Sequence, residues 1–262
     1  MSSSHEQQGC VLVEIQGRLV TVTLNRPDRR NALSIPMFDA LEPVLSGLSR
    51  HGDVPIVLLR GEGSFFCSGF DLDPCLEDRS LMETYVRRLG SCIRHLRSIE
   101  GVVVAAVTGG ALAGGCALVA ACDMVIADAK AIMGYPVHRI GISPAVSVPS
   151  LISGSGTGSA RTLALGHDPI PAERARQLGL VHAVVPDSSK VMDEAMARCR
   201  SLLEKGPDAL AATKQWMNRL DGSDDHETAM KAMEISARTG RSDTAAMMLE
   251  QFLGQRRSRR GG

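Results

Sequence analysis

"VVVAAVTGGALAGGCALVAACDMVIADAKA", residues 102–131, runs from an apolar segment through a glycine-rich turn into a second apolar segment and out to a third. Val102–Val107 is rich in β-branched residues and reads as a buried strand, Gly114–Cys122 as a short helix, and Met124–Ala127 as another strand. A strand, a crossover helix and a second strand pair in parallel, so this stretch predicts an α/β sheet. Gly109, Gly110, Gly114 and Gly115 free the turn backbone to approach a ligand, yet the next helical turn offers only Cys116, Ala117, Leu118 and Val119. A binding turn is thus backed by a helix with no acid or base on it.

The same alternation extends towards the N-terminus. Val11–Ile15 and Leu19–Leu24, separated by Gln16-Gly17-Arg18, predict a hairpin. A helix follows over Ile35–Ser49 with Pro43 inside it, then a strand over Pro55–Arg60 and a helix over Leu81–Ile99. Past Ala160 the pattern turns helical, with helices predicted over 159–165, 171–178, 189–205, 209–220 and 227–238, and one strand-like run, "LVHAVV", among them. The reading is an α/β core over residues 1–190 and a C-terminal helical region over 191–262. "SGSGTGS" (153–159) reads as a short flexible lead into a helix. The terminal "QRRSRRGG" reads either as a solvated end or as a phosphate contact.

Composition narrows the function classes. The chain has 262 residues, enough for a large core without staples. Its 29 basic and 29 acidic side chains cancel, which leaves no global field for nucleic acid or an anionic membrane, so an anionic ligand must be held locally. Seven cysteines form no CxxC pair and no metal-ligand spacing, which argues against a disulfide framework and a metal site and fits a reducing cytoplasm. "MSSSHEQQGC" has no apolar signal region, and no apolar run is long enough to span a bilayer. A soluble cytoplasmic protein is expected.

Three segments, "LNRPDRRNALS" (24–34), "GSFFCSGFDL" (63–72) and "AAVTGGALAGGCALVAACDMVIADAKA" (105–131), stand in an order that resembles the crotonase superfamily, the enoyl-CoA hydratase and isomerase family. The resemblance continues through "GYPVHRIGISPA" (134–145), "ARTLALGHDPIPAERARQLGLVHAVVP" (160–186) and "FLGQRR" (252–257), nearly the whole chain. It implies a spiral of ββα repeats with a helical C-terminal region, and acyl-CoA as the small-molecule partner, with coenzyme A part of the substrate and no permanently bound cofactor.

Two glycine-containing turns, each after a buried strand, are able to bring one backbone N–H apiece to a single point, to which the helix N-terminus at Gly114 adds its positive end. The resemblance names the donors as the N–H groups of Phe70 and Gly114, an oxyanion hole for a thioester carbonyl. Donors of this kind contribute roughly 3 to 4 kcal/mol each to an enolate-like transition state. By the same resemblance Ser68, Phe70, Asp71, Leu72 and Asp73 lie along the pantetheine and acyl region, and Arg29, Arg30 and Ala32 near the adenine and phosphates. The arginines also read as ordinary surface charges.

The pattern breaks where water would be activated. Family members that hydrate an enoyl thioester carry two glutamates, and the matching positions here are Ala117 and Val137. Hydration needs positioned acid/base groups worth about 100- to 10,000-fold each, which a methyl and an isopropyl group cannot supply. Pro144 and Ala145 occupy the stretch where other branches place an aspartate. The replacement candidates are Tyr135, two places before Val137 and so on its face of an extended segment, and His138, next to it and so facing away. Cys67 and Cys116 flank the two donors and read as small core residues.

Three readings follow. In the first the chain is a lyase-like enzyme of fatty acid metabolism that stabilises a thioester enolate, by a reaction such as decarboxylation of a malonyl-type thioester, which needs no base. In the second it binds acyl-CoA without turnover, Ala117 and Val137 making room for a fatty chain. In the third the likeness marks fold alone. The resemblance also implies a homotrimer or a dimer of trimers, with Met230, Met233, Met247, Met248 and Leu249 available either for that contact or for packing within the chain.

Overall fold

The computed structural model describes residues 9–50, 53–166 and 168–258. Residues 1–8 and the last four residues of the arginine-rich tail lie outside the described residues, and with them the expectations placed there.

In chain order the elements are β1 (Val11–Gln16), β2 (Leu19–Leu24), α1 (Ile35–Leu48), β3 (Ile56–Gly61), α2 (Ser80–Ser98), β4 (Val103–Val107), β5 (Gly110–Leu112) and α3 (Gly114–Ala120). They continue as β6 (Met124–Asp128), β7 (Ile132–Gly134), α4 (Val148–Leu165), β8 (Ile170–Pro171), α5 (Ala172–Gln177) and β9 (Ala183–Val185). The described residues end with the helices α6 (Val191–Leu203), α7 (Pro207–Asp221), α8 (His226–Gly240) and α9 (Asp243–Ser258). The mixed α/β class and the helical C-terminal region are as the sequence indicates.

The main sheet has the order β1-β2-β3-β4-β6-β9, with β1 antiparallel to β2 and every later pair parallel. The central strands β3, β4 and β6 are largely apolar because both faces are covered, whereas the edge strand β1 is mostly exposed. Val22, Val57, Leu59, Val103 and Ala105 face the core shared with α1, α2 and α3. The alternate residues Leu19, Ile56, Leu58, Val104 and Ile126 meet Val191, Ala195, Cys199 and Leu202, one stripe of α6. The expected boundary at residue 190 therefore falls just before a helix that covers the second face of the sheet.

A smaller sheet, β5-β7-β8, was not read from the sequence. Its strands have three residues or fewer and form where Gly110–Leu112 pairs with Ile132–Gly134, so tertiary pairing rather than local pattern creates them. A second correction concerns α4, which begins at Val148 and so contains "SGSGTGS" instead of following it. Gly156, at φ +76° and ψ 158°, breaks the helix there. The third is α9, which continues to Ser258 where the sequence suggested a loose end.

Pro43 lies inside α1 as expected, and Ser34 caps that helix by accepting a hydrogen bond from Met37 N–H at 3.3 Å. Among the described residues no helix is long and apolar enough to cross a membrane.

Candidate active site

The site grows from three turns tied to one another. Arg30 and Asn31 both take positive φ, which reverses the chain after β2. Buried Asn31 fixes that reversal: its amide donates to the carbonyls of Glu62 and Phe65 at 2.9 and 2.7 Å, and its Oδ1 accepts Arg26 N–H at 2.7 Å. The Arg26 guanidinium then donates to the Ala32 carbonyl at 2.8 Å and to Asp71 at 3.1 Å, clamping the first turn to the second.

The second turn is held on both sides. Leu33 N–H donates to the Gly69 carbonyl at 2.8 Å and Asp71 N–H to the Leu33 carbonyl at 2.9 Å, which turns the intervening Phe70 N–H the other way. Across from it, Cys67 N–H donates to the Gly110 carbonyl and Leu112 N–H to the Cys67 carbonyl. The third turn is pinned by buried Asp128, which accepts Gly109 N–H at 2.6 Å and Lys130 N–H at 2.9 Å.

This framework places the two predicted donors together. Among the described residues neither Phe70 N–H nor Gly114 N–H has an acceptor. They are neighbours: a methyl group on Gly69, itself at φ +94°, would lie 3.4 Å from Gly114 N and 2.8 Å from the Ala113 Cβ. Any side chain at position 69 would strike the loop opposite. Gly114 opens α3, whose seven residues make a weak macrodipole, so the free N–H groups of its first turn are the useful polarity there. Ala113, between the two, holds φ +50° and ψ −118°, a conformation that favours glycine.

A cavity of about 700 Å³ opens at this point. It brings together Arg29, Arg30, Ala32, Ser68, Phe70, Asp71, Leu72, Asp73, Gly114, Tyr135 and Val137, nearly every residue singled out from the sequence. Two are not on its wall. Ala117 is fully buried on the next turn of α3 and packs into the core, so it makes no room for a ligand. His138 is exposed and turned away, though for a different reason than strand alternation: residues 136–140 form a 3-10 turn.

Tyr135 lines the cavity, and its buried hydroxyl, beside Cys116 and Ser147, has no hydrogen-bond partner among the described residues. Burial, and then the neighbouring Cys116, push its pKa well above the usual phenol value, so it is a neutral phenol at any physiological pH. Burial likewise pushes the Cys67 and Cys116 thiols up to about 12, which leaves neither as a thiolate and supports reading both as core residues. Asp71 is paired with Arg26, and Asp73 lies 3.8 Å from Arg29. The carboxylates of the wall, Asp28, Asp71 and Asp73, thus belong to the first two turns, and the wall segment that carries Tyr135 and Val137 adds none.

Further wall residues escaped the sequence reading. Val86 and Leu89 come from α2, Ile140, Ile142, Val146 and Ser147 from the segment after β7, and Phe252 and Leu253 from α9. "FLGQRR" carried the last pair, but only as part of the resemblance.

The model of the enoyl-CoA hydratase/isomerase family matches residues 14–259. The chain belongs to that family. Among its relatives are the short-chain-enoyl-CoA hydratase of Clostridium acetobutylicum, 32% identical over 212 residues that span 80% of this chain and 81% of that protein. The 2,3-dehydroadipyl-CoA hydratase of Escherichia coli is 32% identical over 206 residues, 78% of this chain and 80% of that one. In structure the family member resembles an enoyl-CoA hydratase/isomerase from Xanthobacter autotrophicus Py2, with a TM-score of 0.82, 30% identity and 92% of both chains covered. Membership of the enoyl-CoA hydratase/isomerase family, and with it of the crotonase superfamily, accounts for the α/β core with its helical C-terminal region.

Proposed function

We propose that this protein processes acyl-CoA thioesters by gripping the thioester carbonyl between the N–H groups of Phe70 and Gly114. The observation that carries the reading is that pair of unaccepted donors, set side by side at a cavity wall by three interlocked turns. Such donors are fixed before the ligand arrives, so they favour an enolate oxygen without a cost of reorganisation. Arg29 and Arg30 at the charged mouth suit the phosphates of coenzyme A, and the apolar wall formed by Val86, Leu89 and Val146 suits the acyl group.

Val137 and buried Ala117 leave the reacting region without the paired carboxylates that hydration uses, which favours a reaction that makes the enolate without a base. Loss of carbon dioxide from a malonyl-type thioester is such a reaction: the carbon–carbon bond breaks, its electron pair becomes the enolate, carbon dioxide leaves, and a proton taken up from solvent water restores the α-carbon. Binding without turnover is the outcome if no such substrate reacts.

Two measurements test this. Butyryl-CoA is compared with its thioether analogue S-butyl-CoA, which lacks the carbonyl. Two hydrogen bonds of about 1 kcal/mol each predict a preference of roughly thirty-fold for the thioester, and equal affinities reject the hole. Crotonyl-CoA hydration, followed as loss of the conjugated thioester absorbance beside a glutamate-bearing relative, is expected to be undetectable. Turnover within about 100-fold of that relative rejects the claim that hydration is lost.

A further inference from the structure

A second cavity, of about 490 Å³, lies against the first, and Ile140 and Ile142 line both. Both side chains are buried, so the partition is one short segment of chain. α9 borders both spaces: Ala245, Leu249 and Gly254 line the second cavity, Phe252 and Leu253 the first. Leu249 and Leu253 are one helical turn apart, about 6 Å. Between the isoleucines Gly141 takes φ +71°, and a methyl group there would stand 2.7 Å from the Ala245 Cα, so the segment is pressed directly against the helix.

We propose that Ile140 and Ile142 set the acyl-chain length this protein accepts, and that the second cavity is the space a longer chain enters when that wall is cut back. The inference rests on the acyl-CoA reading above. The chemistry of the first cavity selects the occupant: its mouth carries Arg29, Arg30 and Asp73, whereas Val86, Leu89 and Val146 line its inner wall together with the isoleucines. The polar part of a CoA ester is held at the mouth, and hydrocarbon is what continues inward. Beyond the partition Leu76, Met82, Ala246 and Leu249 give the second cavity an apolar side next to the isoleucines, while the exposed Arg79, Arg241 and Glu250 line its solvent side.

Dissociation constants for saturated acyl-CoAs from butyryl to dodecanoyl, measured by calorimetry, test the proposal. In the unaltered protein affinity rises by about four-fold per methylene, then stops rising once the chain meets the isoleucines. Ile142→Ala moves that plateau to longer chains by about two carbons or more, since it removes three side-chain carbons. Adding Ala246→Phe, which fills the second cavity, brings the plateau back. Ile142→Val removes a single methyl and shifts the plateau less, which covers the case in which the alanine variant fails to fold. A plateau that stays put in a folded Ile142 variant overturns the proposal, as does one that Ala246→Phe leaves extended. Failure of the unaltered protein to bind butyryl-CoA is a separate result, which overturns the acyl-CoA reading and this inference together.

Discussion

Tyr135 lines the cavity and buries a hydroxyl that has no hydrogen-bond partner among the described residues. A buried hydroxyl left unpaired costs about 1 to 3 kcal/mol, so removing it relieves the folded state. Tyr135→Phe is therefore expected to stabilise the protein by about 1 kcal/mol, a rise in melting temperature of roughly 2 °C or more for a chain of this size. Since the hydroxyl oxygen is fully buried, butyryl-CoA affinity stays within about two-fold. A loss of stability in that variant would show that the hydroxyl has a partner in solution, and a large loss of affinity that it reaches the ligand. At this scale the sequence was informative about identity and silent about direction. The residues at 117 and 137 were legible as apolar, yet only the fold shows that Val137 lines the cavity while Ala117 has closed into the core. His138 turned away because of a 3-10 turn that no periodicity announces.

α7 is tied to the sheet by charge rather than by a broad apolar face. Buried Lys214 donates to the Gly101 carbonyl at 2.9 Å and to Asp123 at 2.7 Å, and Asp123 also accepts Val103 N–H at 2.8 Å. Arg97 adds bonds from α2 to Asn218 and Asp221 at 3.1 and 3.2 Å. Replacing Lys214 by Met leaves the Asp123 carboxylate short of its main partner, and a loss of about 2 to 4 kcal/mol is expected by denaturant unfolding. If the cost lies in that carboxylate, adding Asp123→Asn returns part of the stability, because an amide oxygen still accepts Val103 N–H without the charge. A double variant weaker than Lys214→Met alone rejects this account. The helical period of residues 209–220 was legible in the sequence, but not the anchor, whose partners lie some ninety residues or more away along the chain. For the same reason β5, β7 and β8 were missed: three residues carry no period, and pairing alone makes them strands.

For the whole molecule the legible part was the sheet and its helical wrapping, because continuous β-branched runs and apolar stripes are local signals. What stayed hidden was how the C-terminal helices divide their apolar residues. Met233 and Leu249 are buried within the chain, whereas Met230 and Met247 remain exposed and Met248 is half-buried. The exposed apolar residues on α7, Trp216, Met217 and Leu220 at 59%, 60% and 69%, were not singled out from the sequence at all. Spaced at i, i+1 and i+4, they share one side of a helix whose other side is fixed by Lys214 and Asn218. Exposed apolar residues grouped on one side of a helix suit a contact surface, and with the trimer that the resemblance implies, a second copy of the chain is the expected occupant. Sedimentation velocity is then expected to show the unaltered protein well above the monomer mass of 27.9 kDa. Leu220→Glu, which places a charge in the middle of that face, shifts the population towards the monomer while leaving the fold intact, since the side chain makes no core contact. A monomer at every concentration in the unaltered protein rejects self-association. An assembly that Leu220→Glu leaves unchanged moves the contact elsewhere, to the exposed Met230 and Met247 faces of α8 and α9.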